Sequence, residues 1–322
     1  MKFKKSIITI STAALALGAV VGTAGSSSAA TKQKTLGIVA LVASDSLNQA
    51  VIKGATEVAK TAGWKVFVTD TQGSPEKANA AMITYSTTQK TDAIMPMAFH
   101  SSALSAGLAA AKKAGNIPVA SWGGEIAPGI VVTTSALKVG QDSVNALLKD
   151  FGTKGSLLEL TYHTGVLCYF RQIAIDTKMK TVPGIKVTQN EVAIPGQVQS
   201  GSDFTAAWLA SHPAGKEPLA IWGTWDEPAT GAIAALKQAN RTDVKVYGIN
   251  GGPTALQQIK DGTLQQVVWQ DGYTEGKALM QGILDAQKAG KSWKPKVVNV
   301  PGVVVTKQTI DAFLTAHPDA TK

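Results

Sequence analysis

Three carboxylates, Asp45, Glu125 and Asp226, lie just beyond runs of apolar residues, and so do Trp122, Tyr162 and Trp225. Asn250 and Gln270 occupy equivalent positions later in the chain. Carboxylates and amides bond hydroxyl groups, while flat aromatic faces stack on the C–H side of a sugar ring. Aromatic walls with a few convergent polar groups are the general form of a small-molecule site. Two carboxyls can also flank a glycosidic bond as acid and base, so Asp45, Glu125 and Asp226 admit a secreted glycosidase as the enzyme alternative. Nothing else supports catalysis. The G-x-S-x-G nucleophile elbow is missing, and His100 and His163 follow strand-like runs without a paired nucleophile. Arg171 is one of only two arginines, the other being Arg241. Its planar fork can hold a hydroxyl or ring oxygen as Lys cannot; the plain alternative is a solvated helix charge. Three carboxylates against Arg171 disfavour an anionic ligand. They leave a neutral polyol, or a cation of the kind that aromatic walls also hold. Each residue has a structural alternative too: a Trp at a strand end can simply pack, and Asp226 before Glu227 can cap a helix.

Several chemistries are excluded. The first strand–helix turn reads Ala43-Ser-Asp-Ser-Leu-Asn48, with no glycine to admit a pyrophosphate, and there is no Walker loop. Gly123-Gly124 and Gly251-Gly252 read as turn residues. The single cysteine, Cys168, forbids an intramolecular disulfide. The four histidines (His100, His163, His212, His317) are scattered and lack metal-ligand spacing. No cofactor or metal ion is implied. The formal charge is +9, from 31 basic and 22 acidic residues. Nucleic-acid binding favours clustered charge and Arg forks, and with neither present it is disfavoured.

The elements that must position these residues alternate along 322 residues, a length that suggests two domains. Thr35–Leu41 is a continuous apolar run, as in a strand buried on both faces. Leu47, Ala50, Val51, Gly54, Ala55, Val58 and Ala62 then repeat at helical spacing, and Gly63 closes the helix. Further strands are expected at 65–68, 92–95 and 117–121, with helices at 75–89 and 102–114 between them. The alternation resumes with a helix over 136–151 and strands at 156–160, 186–192, 219–222, 244–248 and 266–270. Helices at 166–181, 203–211, 227–239 and 254–261 separate those strands. A helix at 273–289, one strand at 297–305 and a helix at 307–316 complete the chain, and residues 133–135 read as a hinge segment. Repeated strand–helix–strand units build parallel sheets with helices on both faces. In such sheets ligands bind beyond the carboxyl ends of the strands, where the residues named above fall.

The N-terminus has the three-part layout of a secretory signal peptide: basic Met1–Lys5, apolar Ile7–Val21, then the small residues Gly25–Ala30. Cleavage after Ala29 or Ala30 is expected, a retained anchor being the alternative. No cysteine nearby offers a lipidation site. The mature chain is then expected outside the inner membrane, in the periplasm or secreted, with no membrane insertion.

Five segments in order resemble the type I periplasmic binding proteins of the ribose-binding type, which serve sugar ABC transporters. They are Asp92-Ala-Ile-Met-Pro96 with Ser102-Ala-Leu104, Ala114–Val119, Asp226-Glu227 before Gly231-Ala232, Asp243–Gly251 with Pro253, and Ala255–Gln270. The resemblance implies an α/β fold of two doubly wound parallel-sheet lobes joined by a three-crossing hinge. One lobe takes 31–134 and 271–297, the other 135–270 and 298–322, after a signal peptide at 1–30. It further implies a monomeric binding protein, not an enzyme, that captures a sugar-like ligand between its lobes for an ABC permease. A receptor serving a chemoreceptor or sensor kinase, or a binder of a nucleoside or quaternary amine, is the alternative. The family's sugar contacts fall on Asp45 (usually Asn), Arg171, Asn250 (usually Asp) and Gln270. Two departures leave the sugar's identity open. Gly123-Gly124, flanked by Trp122 and Glu125, replaces an Asp-Arg pair, and Trp225 replaces an Asn before Asp226. The candidate ligand set is thus Asp45, Trp122, Glu125, Arg171, Trp225, Asp226, Asn250 and Gln270.

Overall fold

The computed structural model describes residues 32–321. The expected signal peptide at 1–30 lies outside the described residues. The apolar run at the start of the chain forms β1 (Thr35–Ala40), with Leu36 to Ala40 fully buried. β2 (Lys65–Asp70) and β3 (Ala93–Met97) flank it in parallel. β4 (Val119–Ser121), β5 (Ile130–Thr134) and β11 (Lys296–Val298) extend the sheet, giving the order β11-β5-β4-β3-β1-β2. A second sheet runs β12-β10-β9-β8-β6-β7. It contains β6 (Gly155–Thr161), β7 (Ile185–Glu191), β8 (Leu219–Gly223), β9 (Val244–Asn250), β10 (Gln266–Trp269) and β12 (Val303–Thr306). Every pairing is parallel except β10–β12. The chain passes from the first sheet to the second after β5, returns after β10, and crosses again between β11 and β12.

Helices cover both sheets. α1 (Ser46–Thr61) packs on α9 (Gly272–Ala289), and α2 (Pro75–Thr87) on α3 (Ser105–Lys113). In the second lobe α4 (Leu137–Phe151) packs on α5 (Val166–Met179), and α6 (Gln197–Ser211) on α7 (Asp226–Gln238). α8 (Pro253–Asp261) and α10 (Ile310–Ala316) complete it. Full burial of aliphatic side chains such as Ile38, Val39, Leu158 and Ile221, at roughly 1.5–3 kcal/mol each, drives the two layers together.

Three expectations change. The segment 297–305 is two strands in different sheets, because Pro301-Gly302 breaks the ladder where the chain crosses between lobes. Residues 130–134 form β5, a strand not expected from the sequence, and the chain crosses between the sheets after it, beyond the segment read as a hinge. α6 begins at Gln197, six residues early, behind Gly196 at φ 110°, which supplies no side-chain cap.

Candidate functional site

The carboxyl ends of both sheets face one another. Asp45 follows β1 and is the N-cap of α1, its Oδ1 accepting the Leu47 and Asn48 amides at 3.0 and 3.2 Å. That bond fixes the first turn of α1 and carries Asn48 into the cleft. Arg171 lies on α5, 1% exposed. Its Nη1 donates to the Thr224 carbonyl at 2.7 Å, and its Nη2 to Asn250 Oδ1 and Gln270 Oε1 at 2.9 and 2.8 Å. Asn250 ends β9 at φ 109°. A non-glycine residue there is held by its surroundings, in this case by the guanidinium it accepts from.

Between the lobes is a small cavity of about 50 Å³, well below the usual size of an open small-molecule site, so a sugar-sized ligand enters only when the lobes part. Trp122, Tyr162 and Trp225 wall it with Leu41, Leu167, Cys168 and Ile194, and Asp45, Asn48, Arg171, Gln197 and Asn250 provide polar groups. The Tyr162 and Trp225 rings meet edge-on, 6.2 Å between centroids. Arg171 Nε–H and Asn48 Oδ1 are buried without a protein partner. One is a donor, the other an acceptor, and buried polar groups are nearly always paired. The mouth is bridged directly: Val166 N donates to the Ala98 carbonyl at 3.0 Å, and Tyr162 Oη to the Gly73 carbonyl at 3.3 Å.

Of the eight residues expected from sequence, the structure brings Asp45, Trp122, Arg171, Trp225 and Asn250 to this cavity. Gln270 and Asp226 stand one layer behind it. Gln270 holds Arg171 and donates to both Glu275 oxygens at 3.0 and 2.9 Å. Asp226 accepts the Gly252 amide at 2.7 Å. Glu125 is elsewhere: its carboxylate takes His100 Nδ1 and the Ser101 amide, each at 2.8 Å, beside an outer depression lined by Ser102 and Lys112. Burial works against its ionisation, but these hydrogen bonds hold its pKa below the ordinary value. The Gly123-Gly124 turn directly before it carries the chain away from the cleft. Gly123 itself has φ 85°, and a Cβ there would come within 2.5 Å of Leu167 Cδ2 on the other lobe.

Sequence reasoning missed Asn48, Glu227 and Glu275. Asn48 interrupts the apolar face of α1, a signal that was available. Glu227 and Glu275 sit in first helical turns, where an acid reads as dipole compensation. Glu275 is 1% exposed and accepts Trp122 Nε1–H at 2.7 Å. Burial pushes it up to about 7, against the bonds from Trp122 and Gln270 and the charge of Arg171. Burial also pushes Asp226 to about 8, with the Gly252 bond and Arg171 opposing and Asp45 adding to the rise. Glu227 rises further, from burial first and then from Asp45 and Asp226, and it shares a hydrogen bond with Asp45 across the cleft. Burial lowers the Arg171 pKa, opposed by Cys168, Asp226, Glu275 and Asp45. The Cys168 thiol, raised to about 11 chiefly by burial, is a neutral contact surface.

Residues 36–292 match the family model described as a periplasmic binding protein domain. The chain belongs to the periplasmic binding protein family. Its two lobes of mostly parallel sheet have the type I topology, as in the crystal structure of an ABC transporter solute binding protein from Agrobacterium vitis with bound allitol. That structure superposes with a TM-score of 0.81 at 25% identity, over 88% of this chain and 99% of the other. A putative rhizopine-binding protein of Rhizobium meliloti is 34% identical over 132 residues, 40% of this chain and 41% of that protein. A D-galactose/methyl-galactoside binding periplasmic protein of Haemophilus influenzae is 34% identical over 119 residues, 35% of each chain. The chain therefore matches well under half the length of these two curated relatives. Among the described residues no helix is long and apolar enough to cross a membrane.

Proposed function

We propose that this protein is an extracytoplasmic solute receptor that closes two lobes on a sugar-like polyol and presents it to an ABC permease. The observation that carries the reading is the interlobe cavity, with three aromatic walls and a buried donor and acceptor, Arg171 Nε–H and Asn48 Oδ1, left for a ligand. Ligand hydroxyls can accept from the first and donate to the second. The lobes comprise 31–134 with 271–297 and 135–270 with 298–322, and the distribution of strands between the sheets supports that division. The receptor is exported with cleavage after Ala29 or Ala30 and acts in the periplasm as a monomer. Asp45, Trp122, Arg171, Trp225 and Asn250 form the ligand shell, and Gln270 and Asp226 support it from behind.

A thermal-shift panel of hexoses, pentoses, cyclic polyols and nucleosides tests this. Ligand at ~100 times its Kd adds about 2.7 kcal/mol, and for a chain of this size that raises Tm by several degrees. A sugar or polyol should produce that shift. A shift with nucleosides alone contradicts the reading.

A further inference from the structure

The mouth of the cavity carries a contact whose protons can be counted. Residues 98–100 of the first lobe lie against 163–166 of the second: the Val166 amide donates to the Ala98 carbonyl, and Phe99 and Gly165 form an isolated antiparallel bridge. His100 ends this contact, partly buried. Its Nδ1 lies 2.8 Å from Glu125 Oε1, and its Nε2 lies 3.3 Å from the His163 carbonyl oxygen of the other lobe. Tyr169 on α5 stands edge-on to the same ring, 4.9 Å between centroids. A carbonyl oxygen only accepts, and so does an ionised carboxylate. Burial works against ionisation of Glu125, but the Ser101 amide and His100 hold its pKa below the ordinary value, so it is a carboxylate at neutral pH. A neutral imidazole has one N–H to give, and here two oxygens each need one. His163 differs: its Nδ1 faces an acceptor, Glu191 Oε2 at 3.0 Å, and one proton serves it.

We propose that His100 latches the closed lobes as an imidazolium, bonded to Glu125 on its own lobe and to the His163 carbonyl on the other, so that closure takes up a proton and opening releases it. This rests on the receptor reading above and adds a control on its closed state. With the lobes apart, the bond to Glu125 is the one that remains, and a neutral ring with its proton on Nδ1 satisfies it. Closing brings the His163 carbonyl to Nε2 and requires a second proton there, taken from solvent. Without it, two lone pairs oppose each other at the lobe contact. The groups that face His100 are Glu125, with Lys112 in the depression beside it, and across the lobes Tyr169, His163 and the Glu191 carboxylate bonded to His163. The Glu125 carboxylate compensates the charge of the ring. Histidine side chains ordinarily titrate between about pH 5 and 8, so the latch holds at the low end of that range and loosens at the high end. The interlobe bond is partly solvated, and the range of a net hydrogen bond gives about three- to tenfold in ligand affinity.

Glu125→Gln separates the proton from the contact. The amide oxygen can keep the Ser101 N–H, and the amide NH2 then faces Nδ1 and donates where the carboxylate accepted. A neutral ring is left with its one proton for the His163 carbonyl. Isothermal titration with D-galactose, D-allose, allitol and myo-inositol, at pH 5.5 and 8, tests the proposal on the parent, on E125Q and on H100Q, which carries a neutral donor. Asp226 and Glu275, raised to about 8 and about 7, also change charge over this range, so the difference between parent and variants isolates His100. The gain in affinity from pH 8 to pH 5.5 should be about three- to tenfold larger in the parent than in either variant, and E125Q should bind more tightly than the parent at pH 8. The same pH dependence in all three proteins overturns the latch and leaves the polyol reading standing. Binding of none of the four probes overturns the polyol reading, and small-angle scattering of the ligand-free chain then decides the latch. Its radius of gyration should be smaller at pH 5.5 than at pH 8 in the parent and the same at both in E125Q; equal values at both pH in the parent overturn it.

Discussion

Arg171 ties the second lobe together behind the ligand, and its removal should cost stability before it costs affinity. Arg171→Ala takes the donor from the Thr224 carbonyl, Asn250 Oδ1 and Gln270 Oε1. It also strips Asp226 and Glu275 of their counter-charge. Each buried acceptor left unpaired costs about 1–3 kcal/mol, and breaking a buried charge arrangement about 3–5 kcal/mol. Water entering through the adjoining cavity can satisfy some of those oxygens, so the total should fall well below the sum, at about 3–5 kcal/mol at pH 8. The loss should shrink at pH 5. Asp226 and Glu275 have folded pKa values raised to about 8 and about 7, so at pH 5 both are protonated with or without Arg171 and its Coulombic share vanishes. Arg171→Met keeps most of the volume and separates the charge from the cavity left by alanine. Urea unfolding followed by circular dichroism at pH 5 and pH 8 measures both quantities. A loss below about 1 kcal/mol at pH 8, less than a single unpaired acceptor should cost, or one that does not change with pH, would refute the reasoning.

Glu159 on β6 is fully buried, accepting Gln172 and Gln189 amides at 2.6 and 2.9 Å, and burial raises it to about 7. The folded state keeps that proton where the unfolded chain has released it. Its contribution to stability therefore falls as pH rises from about 4.5 to about 7, by on the order of 3 kcal/mol at about 1.4 kcal/mol per unit. Glu159→Gln should flatten that part of the pH–stability curve in urea titrations, and a slope equal to the parent's would contradict the assignment. Gly123→Ala places a Cβ 2.5 Å from Leu167 Cδ2 of the opposite lobe, at φ 85°. It should weaken ligand binding tenfold or more, mainly through faster release in stopped-flow fluorescence, at a strain cost of about 1–2 kcal/mol. An unchanged off-rate would mean that the lobes do not close at this contact. Tyr162→Phe removes the hydroxyl bond to the Gly73 carbonyl across the mouth. A net hydrogen bond of about 0.5–1.5 kcal/mol predicts a few-fold loss of affinity in a calorimetric ligand titration, and no loss would show that this bond does not hold the mouth.

The alternation of apolar runs and helical spacings made the α/β class legible, since Thr35–Ala40 and Leu219–Gly223 are buried on both faces and read so directly. The strand-end rule likewise picked the loops that carry Asp45, Trp122, Trp225 and Asn250. It could not say which way a side chain faces after the turn. Glu125, three residues beyond Trp122, is turned outward by Gly123-Gly124 and captured by His100 and the Ser101 amide. Gln270 and Asp226 are placed correctly along the chain but one layer too deep, since strand position does not register what packs in front. Arg171 was picked by type and rarity, yet its role as a tie among Thr224, Asn250 and Gln270 depends on contacts 53 to 99 residues away in sequence. The split of 297–305 between sheets had a signal in Pro301-Gly302 that the valine-rich runs on either side obscured.

The central claim is that the ligand occupies the space between the two sheets. A crystal structure with the tightest-binding sugar or polyol of the panel tests it most directly. Density should lie among Trp122, Tyr162 and Trp225, with a ligand oxygen within hydrogen-bonding distance of Arg171 Nε and a ligand donor on Asn48 Oδ1. Ligand density elsewhere, as in the outer groove of α1 beside Trp269 and Tyr273, with both atoms still unpartnered, would contradict the account.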